Sequence, residues 1–111
     1  MPNYKIIQIV ASESTPEKEV AFNKWYTEVH VPMLFAYEGV KQASRYQLIG
    51  DGEQGAKFLA IYEFETIEAM EAFPESDAFA NAIEDFENNK EALGFTAKWV
   101  ASYELLRSYE K

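Results

Sequence analysis

FNKWYTEVHVPML, residues 22–34, is the stretch on which the fold turns. Phe22, Trp25, Tyr26 and Val29 fall at i, i+3, i+4 and i+7, the spacing of one apolar helical face. His30, the single histidine of the chain, lies four residues past Tyr26 and extends that face at its C-terminal end. Pro32 disfavours helical geometry at Val31, so the regular helix is expected to stop near His30. Just upstream, Ser14, Thr15, Pro16 and Glu17 form a start signal. Ser14 or Thr15 caps, Pro16 suits the first turn, and Glu17 closes a capping box with Ser14.

Outward from this helix the pattern changes period. Tyr4 to Ala11 is rich in β-branched residues with little polar content, as in a strand covered on both faces. Gly39 introduces a second strand, Val40 to Ile49. The run GDGEQG (50–55) supplies turn residues to a third, Lys57 to Phe64. Thr66 caps a second helix that Pro74 interrupts and Ser76 or Asp77 restarts, with Phe79, Ile83 and Phe86 as its apolar stripe. Gly94 ends it as a left-handed C-terminal residue. Thr96 to Leu106 alternates Trp99, Ala101, Tyr103 and Leu105 against Lys98, Val100, Ser102 and Glu104, a fourth strand.

The order β-α-β-β-α-β predicts an α+β, ferredoxin-like domain over residues 1–111, a four-stranded antiparallel sheet with both helices on one face. The other sheet face should be polar in a monomer. Yet the strands are apolar in both phases, as in Ile6/Ile7, Phe58/Leu59 and Trp99/Val100, and a large apolar patch seldom stays exposed. A second copy of the chain packed sheet to sheet is the expected cover, making a homodimer.

Composition narrows the partners. Of 111 residues 48% are apolar, enough for a core without disulfides or a structural metal. Cysteine is absent, which removes thiolate chemistry and Cys-based zinc sites and fits a reducing cytoplasm. The N-terminus reads as a strand and not as a signal peptide. No apolar run reaches the ~18 residues of a spanning helix, so no membrane role is expected. A formal charge of -9 repels phosphate backbones and anionic membranes, so no nucleic acid is expected either.

The segment WYTEVHVPML and the following AYEGVKQASRYQL resemble the EthD-like members of the dimeric α/β-barrel superfamily. The matching residues are Trp25, Tyr26, His30, Pro32, Gly39, Val40, Arg45 and Tyr46, and FLAIYEFETIEAMEAF is similar to that family's third strand and second helix. The resemblance covers essentially the whole chain and implies a dimeric barrel. Relatives in that superfamily include polyketide cyclases, muconolactone isomerases and cofactor-free monooxygenases, and many EthD-like members have no assigned reaction.

His30 is the candidate catalytic residue, because imidazole titrates nearest neutrality and can pass a proton to or from a carbon acid or phenol. The alternative is a histidine bonded to a backbone carbonyl at a helix end. A helix C-terminus favours its charged form and burial its neutral one. Arg45 needs a partner if buried: a substrate carboxylate or enolate, or Glu63 or Glu104 on a neighbouring strand. Tyr46, Tyr62, Trp99 and Tyr103 either wall an aromatic ligand or pack in the core and dimer interface. Tyr26 either orients the imidazole or packs on the sheet, and Met33, Leu34 and Phe35 form a pocket lid or an ordinary buried turn.

One histidine with Glu28 beside it is too few ligands for a transition-metal cage, and no dinucleotide or P-loop motif occurs. No metal and no cofactor are therefore expected. The acidic stretches 68–75 and 84–91 read as solvated helix faces. Two functions remain open. One is a cofactor-free isomerase, cyclase or monooxygenase acting on a hydrophobic aromatic or polyketide-like substrate, with His30 as acid or base. The other is a non-catalytic ligand-binding or accessory protein of a degradation or biosynthesis pathway.

Overall fold

The computed structural model describes residues 5–50 and 55–111. Strand β1 runs Ile6–Glu13 and β3 Phe58–Phe64, both with every second side chain turned to the helices. In β3 those are Phe58, Ala60, Tyr62 and Phe64, all buried. Strands β2 (Val40–Gln47) and β4 (Thr96–Glu104) form the two edges of an antiparallel sheet in the order β2-β3-β1-β4. This is the expected α+β, ferredoxin-like arrangement. Tyr4 and the hairpin turn 51–54 lie outside the described residues.

The first helical arm departs from expectation in three ways. Its start carries no capping box: Thr15 occupies the cap without a side-chain bond, and Ser14 Oγ donates instead to the Leu93 carbonyl at 2.6 Å. Together with Lys18 Nζ on the Glu91 carbonyl, Ser14 satisfies orphan carbonyls at the end of the last helix. Nor does the arm stop near His30. Helix α1 (Glu19–Trp25) passes through a π turn, Tyr26–His30, into α2 (Val31–Phe35).

The π turn is where Pro32 is accommodated. Proline has no N–H to donate, and in a regular helix its ring would press on the carbonyl four residues back, that of Glu28. Widening the preceding turn opens that space and lets the Val31 N–H reach the Tyr26 carbonyl, five residues back. A widened turn also advances each residue through a smaller angle. His30 is thereby carried inward under Tyr26 and is 8% exposed, whereas Val29, expected on the buried face, is turned out and 38% exposed.

The second arm follows its local signals. Thr66 Oγ1 accepts from the Ala69 N–H at the start of α3 (Ile67–Ala72), and Ser76 Oγ from the Phe79 N–H at the start of α4 (Asp77–Leu93). A short 3-10 turn, Phe73–Glu75, marks the interruption at Pro74. Gly94 ends α4 at φ 60°, with space for a Cβ closed by Thr15 Oγ1 at 2.5 Å.

Register fixes what the far face of the sheet presents. Across β2-β3-β1-β4, Tyr46, Leu59, Ala11 and Trp99 form one row, and Ser44, Ile61, Ile9 and Ala101 the next. Gln42, Glu63, Ile7 and Tyr103 form a third. No helix among the described residues covers these rows, and Tyr46, Trp99 and Tyr103 are 56%, 42% and 53% exposed.

Candidate functional site

Between the sheet and the helical layer lies a cavity of about 300 Å³. Gln8, Val10, Tyr62 and Val100 form its floor, and Tyr26, His30 and Leu34 one wall. Phe79, Ile83 and Phe86 of α4 form the opposite wall, and Phe73, Pro74, Phe95 and Ala97 close the ends. Val100 and Ile83 are themselves part-exposed, so the mouth opens between the β4 edge and α4. Among these residues only Gln8, Tyr26, His30 and Tyr62 carry polar side chains.

His30 is clamped by rings. It stacks on Trp25 at 4.7 Å between centroids, meets Tyr26 edge-on at 4.9 Å, and faces Phe86 at 6.4 Å. Its Nδ1 is buried and has no hydrogen-bond partner, so the carbonyl-bonded helix-end role is absent for that nitrogen. Burial pushes the imidazole down to about 4, against a smaller upward pull from Asp85 and a downward push from Arg45. His30 is therefore neutral at pH 7. Asp85 does not reach it by a hydrogen bond: its Oδ2 accepts the Trp25 indole N–H at 2.8 Å. That contact corrects the reading of 84–91 as a wholly solvated face.

Tyr62 is 1% exposed, and its hydroxyl has no partner. The Tyr26 and Tyr62 phenols are near enough to influence each other's ionisation, but no well-formed hydrogen bond satisfies the Tyr62 hydroxyl. Burial raises both phenols, Tyr62 strongly, and the Arg45 charge draws each back toward ionisation.

Arg45 lies on the helix side of β2 but outside the cavity. Its guanidinium carbon sits 4.5 Å from the centre of the Tyr26 ring and 5.4 Å from that of Phe58. Nη1 donates to Thr27 Oγ1 at 3.0 Å, while Nε and Nη2 are buried without partners. Among the described residues no carboxylate pairs with it. The expected partner Glu63 is on the other side of the sheet, because it stands in the opposite phase of β3 from Ala60, the residue paired with Arg45.

Of the residues singled out from the sequence, the cavity brings together His30, Tyr26 and Tyr62, with Arg45 behind Tyr26. Tyr46, Trp99 and Tyr103 do not join them, since strand alternation sets all three on the far face. Leu34 is a fixed wall residue of α2 and not part of a loop lid, and Phe35 points to solvent. Sequence reasoning missed Gln8, Phe73, Phe95 and Asp85. Phe73 and Phe95 flank the very breaks, Pro74 and Gly94, that were read only as helix ends.

A sequence profile described as "Domain of unknown function (DUF4286)" matches residues 5–106. No curated protein matches the chain. Among solved structures, an ethyl tert-butyl ether d (EthD) family protein from Bacillus halodurans C-125 is similar, with 17% identity and TM-score 0.65 over 86% of this chain and 96% of that one. HapK from Hahella chejuensis is 14% identical with TM-score 0.70, over 96% and 97% of the two chains. A candidate antibiotic biosynthesis monooxygenase from Deinococcus radiodurans is also 14% identical, with TM-score 0.66 over 96% and 97%. At these identities the shared property is the fold, which agrees with the EthD-like resemblance of the sequence.

Proposed function

We propose that this chain, which belongs to the DUF4286 family of domains of unknown function, binds a small hydrophobic molecule in the cavity between sheet and helices and moves a proton on it with His30. The observation that carries this reading is a neutral imidazole and a phenol without a well-formed hydrogen bond, both buried, in a cavity of about 300 Å³ whose lining is otherwise apolar but for Gln8 and Tyr26. Unmet polar groups are costly in such surroundings, and a ligand that pairs with them offsets the cost. A neutral imidazole accepts a proton from a carbon acid or phenol without first losing one, and no cofactor is needed for an isomerisation, cyclisation or oxygenation that starts this way. The working unit is a homodimer whose protomers join through the far sheet face, where Tyr46, Trp99 and Tyr103 of each copy are covered.

A second reading is favoured by one specific observation. Among the described residues nothing orients His30 or raises its basicity through Nδ1, and the carboxylate whose charge acts on it, Asp85, is held by Trp25. A non-catalytic binding or accessory protein needs the cavity and not the proton transfer.

A thermal-shift panel of aromatic compounds tests the shared part. A ligand at 100 times its Kd adds ~2.7 kcal/mol of stability. Ala97→Trp, which projects a large ring in from one end of the cavity, is expected to abolish the shift. No stabilisation of the wild type across a broad panel contradicts the proposal. Turnover of a stabilising compound then separates the two readings: His30→Ala lowers kcat by ~10²–10⁴ if the imidazole transfers the proton. Stabilisation without turnover favours the binding protein.

A further inference from the structure

The same cavity specifies the charge and size of its occupant. Its lining includes no lysine, arginine, aspartate or glutamate. A carboxylate, sulfonate or phosphate entering there would give up its hydration with no cation to replace it. Arg45 does not serve, because the Tyr26 ring stands between its guanidinium and the cavity, 4.5 Å from centroid to carbon. At the His30 wall the Asp85 carboxylate outweighs the opposing Arg45 charge, and the chain carries a net -9, so the field on that side of the site does not favour an anion. A cationic ligand would have the rings of Tyr26, Phe79 and Phe86 but no carboxylate in the lining.

Size follows from volume. An apolar cavity of ~150 Å³ takes one benzene ring, so about 300 Å³ accommodates a flat molecule of about two fused rings. The polar requirement is equally specific. The Tyr62 hydroxyl, one donor and acceptor on a side chain 1% exposed, makes no well-formed hydrogen bond among the described residues, with the Tyr26 phenol as its polar neighbour.

We propose that the cavity selects an uncharged, flat ligand about the size of two fused rings, bearing an oxygen that hydrogen-bonds to the Tyr62 hydroxyl. Hydroxyarenes, quinones and neutral aromatic ketones belong to this class. Their acid forms of equal size do not. The inference rests on the cavity being a ligand site and adds to it which ligands enter.

The test uses 2-naphthol and 2-naphthoate, titrated calorimetrically at pH 7.5 into the wild-type chain and into Tyr62→Phe. Wild type is expected to bind 2-naphthol, and 2-naphthoate on the order of 100-fold more weakly or not at all, as burial of an unpaired carboxylate requires. Tyr62→Phe, which removes one oxygen and keeps the ring, is expected to weaken 2-naphthol about 3- to 10-fold, the worth of one neutral hydrogen bond. Equal or tighter binding of 2-naphthoate overturns the charge selection while leaving the cavity a ligand site. Unchanged 2-naphthol affinity in Tyr62→Phe overturns the role of the hydroxyl. Failure of both compounds to bind overturns the inference, and the cavity reading falls with it if the wider aromatic panel also fails.

Discussion

Acidification should destabilise this protein through one residue in a calculable way. In the folded chain burial holds His30 at about 4, against 6.5 for a free imidazole. Below pH 6.5 the unfolded chain takes up a proton at this position that the folded chain refuses until the pH nears 4. The unfolded state therefore binds more protons across this window, and stability falls as pH is lowered through it. The effect is absent above pH 6.5 and complete below about pH 4. One pKa unit corresponds to ~1.36 kcal/mol, so the full loss is about 3 kcal/mol, of which about 2 kcal/mol is reached by pH 5. The chain also carries 19 acidic residues whose titration overlaps the lower part of this window. The comparison is therefore between wild type and His30→Phe, which keeps a ring against Trp25 and cannot take a proton. Urea unfolding of both at matched concentration, at pH 7 and pH 5, cancels the acids common to the two chains. The wild type should lose about 2 kcal/mol more than the variant between those pH values. An equal loss in both would refute the claim that His30 is held neutral by burial.

Three further outcomes follow from named contacts. Trp25→Phe removes the indole donor from Asp85 while keeping a ring beside His30, and should cost about 1.5–3 kcal/mol in urea unfolding at pH 7, the range for a bond to a charged acceptor. Gly94→Ala forces a Cβ into a left-handed residue at φ 60° and against Thr15 Oγ1, so stability should fall by about 2 kcal/mol, with part recovered in the Thr15→Ala background. Trp99→Glu places a charge on the far sheet face. Sedimentation at micromolar concentration should show a dimer for wild type and a 12.7 kDa monomer for this variant, with unchanged circular dichroism. A wild-type monomer would contradict the sheet-to-sheet dimer.

What the sequence disclosed and what it withheld divide along a physical line. Thr66, Ser76 and Gly94 act on their own neighbours, and their roles as caps were legible from local chemistry alone. Pro32 was read as a stop because a regular helix cannot hold it. That the chain would widen one turn instead depends on the burial of Tyr26, His30 and Leu34 against the sheet, which is tertiary. The same turn kept His30 on the inner face, as its spacing from Tyr26 indicates, but turned Val29 outward, so simple helical periodicity misplaced Val29 alone. In the strands, alternation was plain, but both phases are apolar, and nothing local says which phase meets the helices. Hence Tyr62 and Trp99 looked equivalent and lie on opposite sides of the sheet. Asp85 looked like one more acid on a solvated face, and only the fold brings it to the Trp25 indole, 60 residues away in the chain.

The central claim is that the space between sheet and helices, and no other surface, is where this protein meets its ligand. Backbone amide chemical shifts of the labelled protein, followed during titration with 2-naphthol, test it most directly. The expected result is a saturable set of shifts centred on Gln8, His30, Tyr62, Ile83 and Phe86. Shifts centred instead on Tyr46, Trp99 and Tyr103, across the sheet, would contradict it.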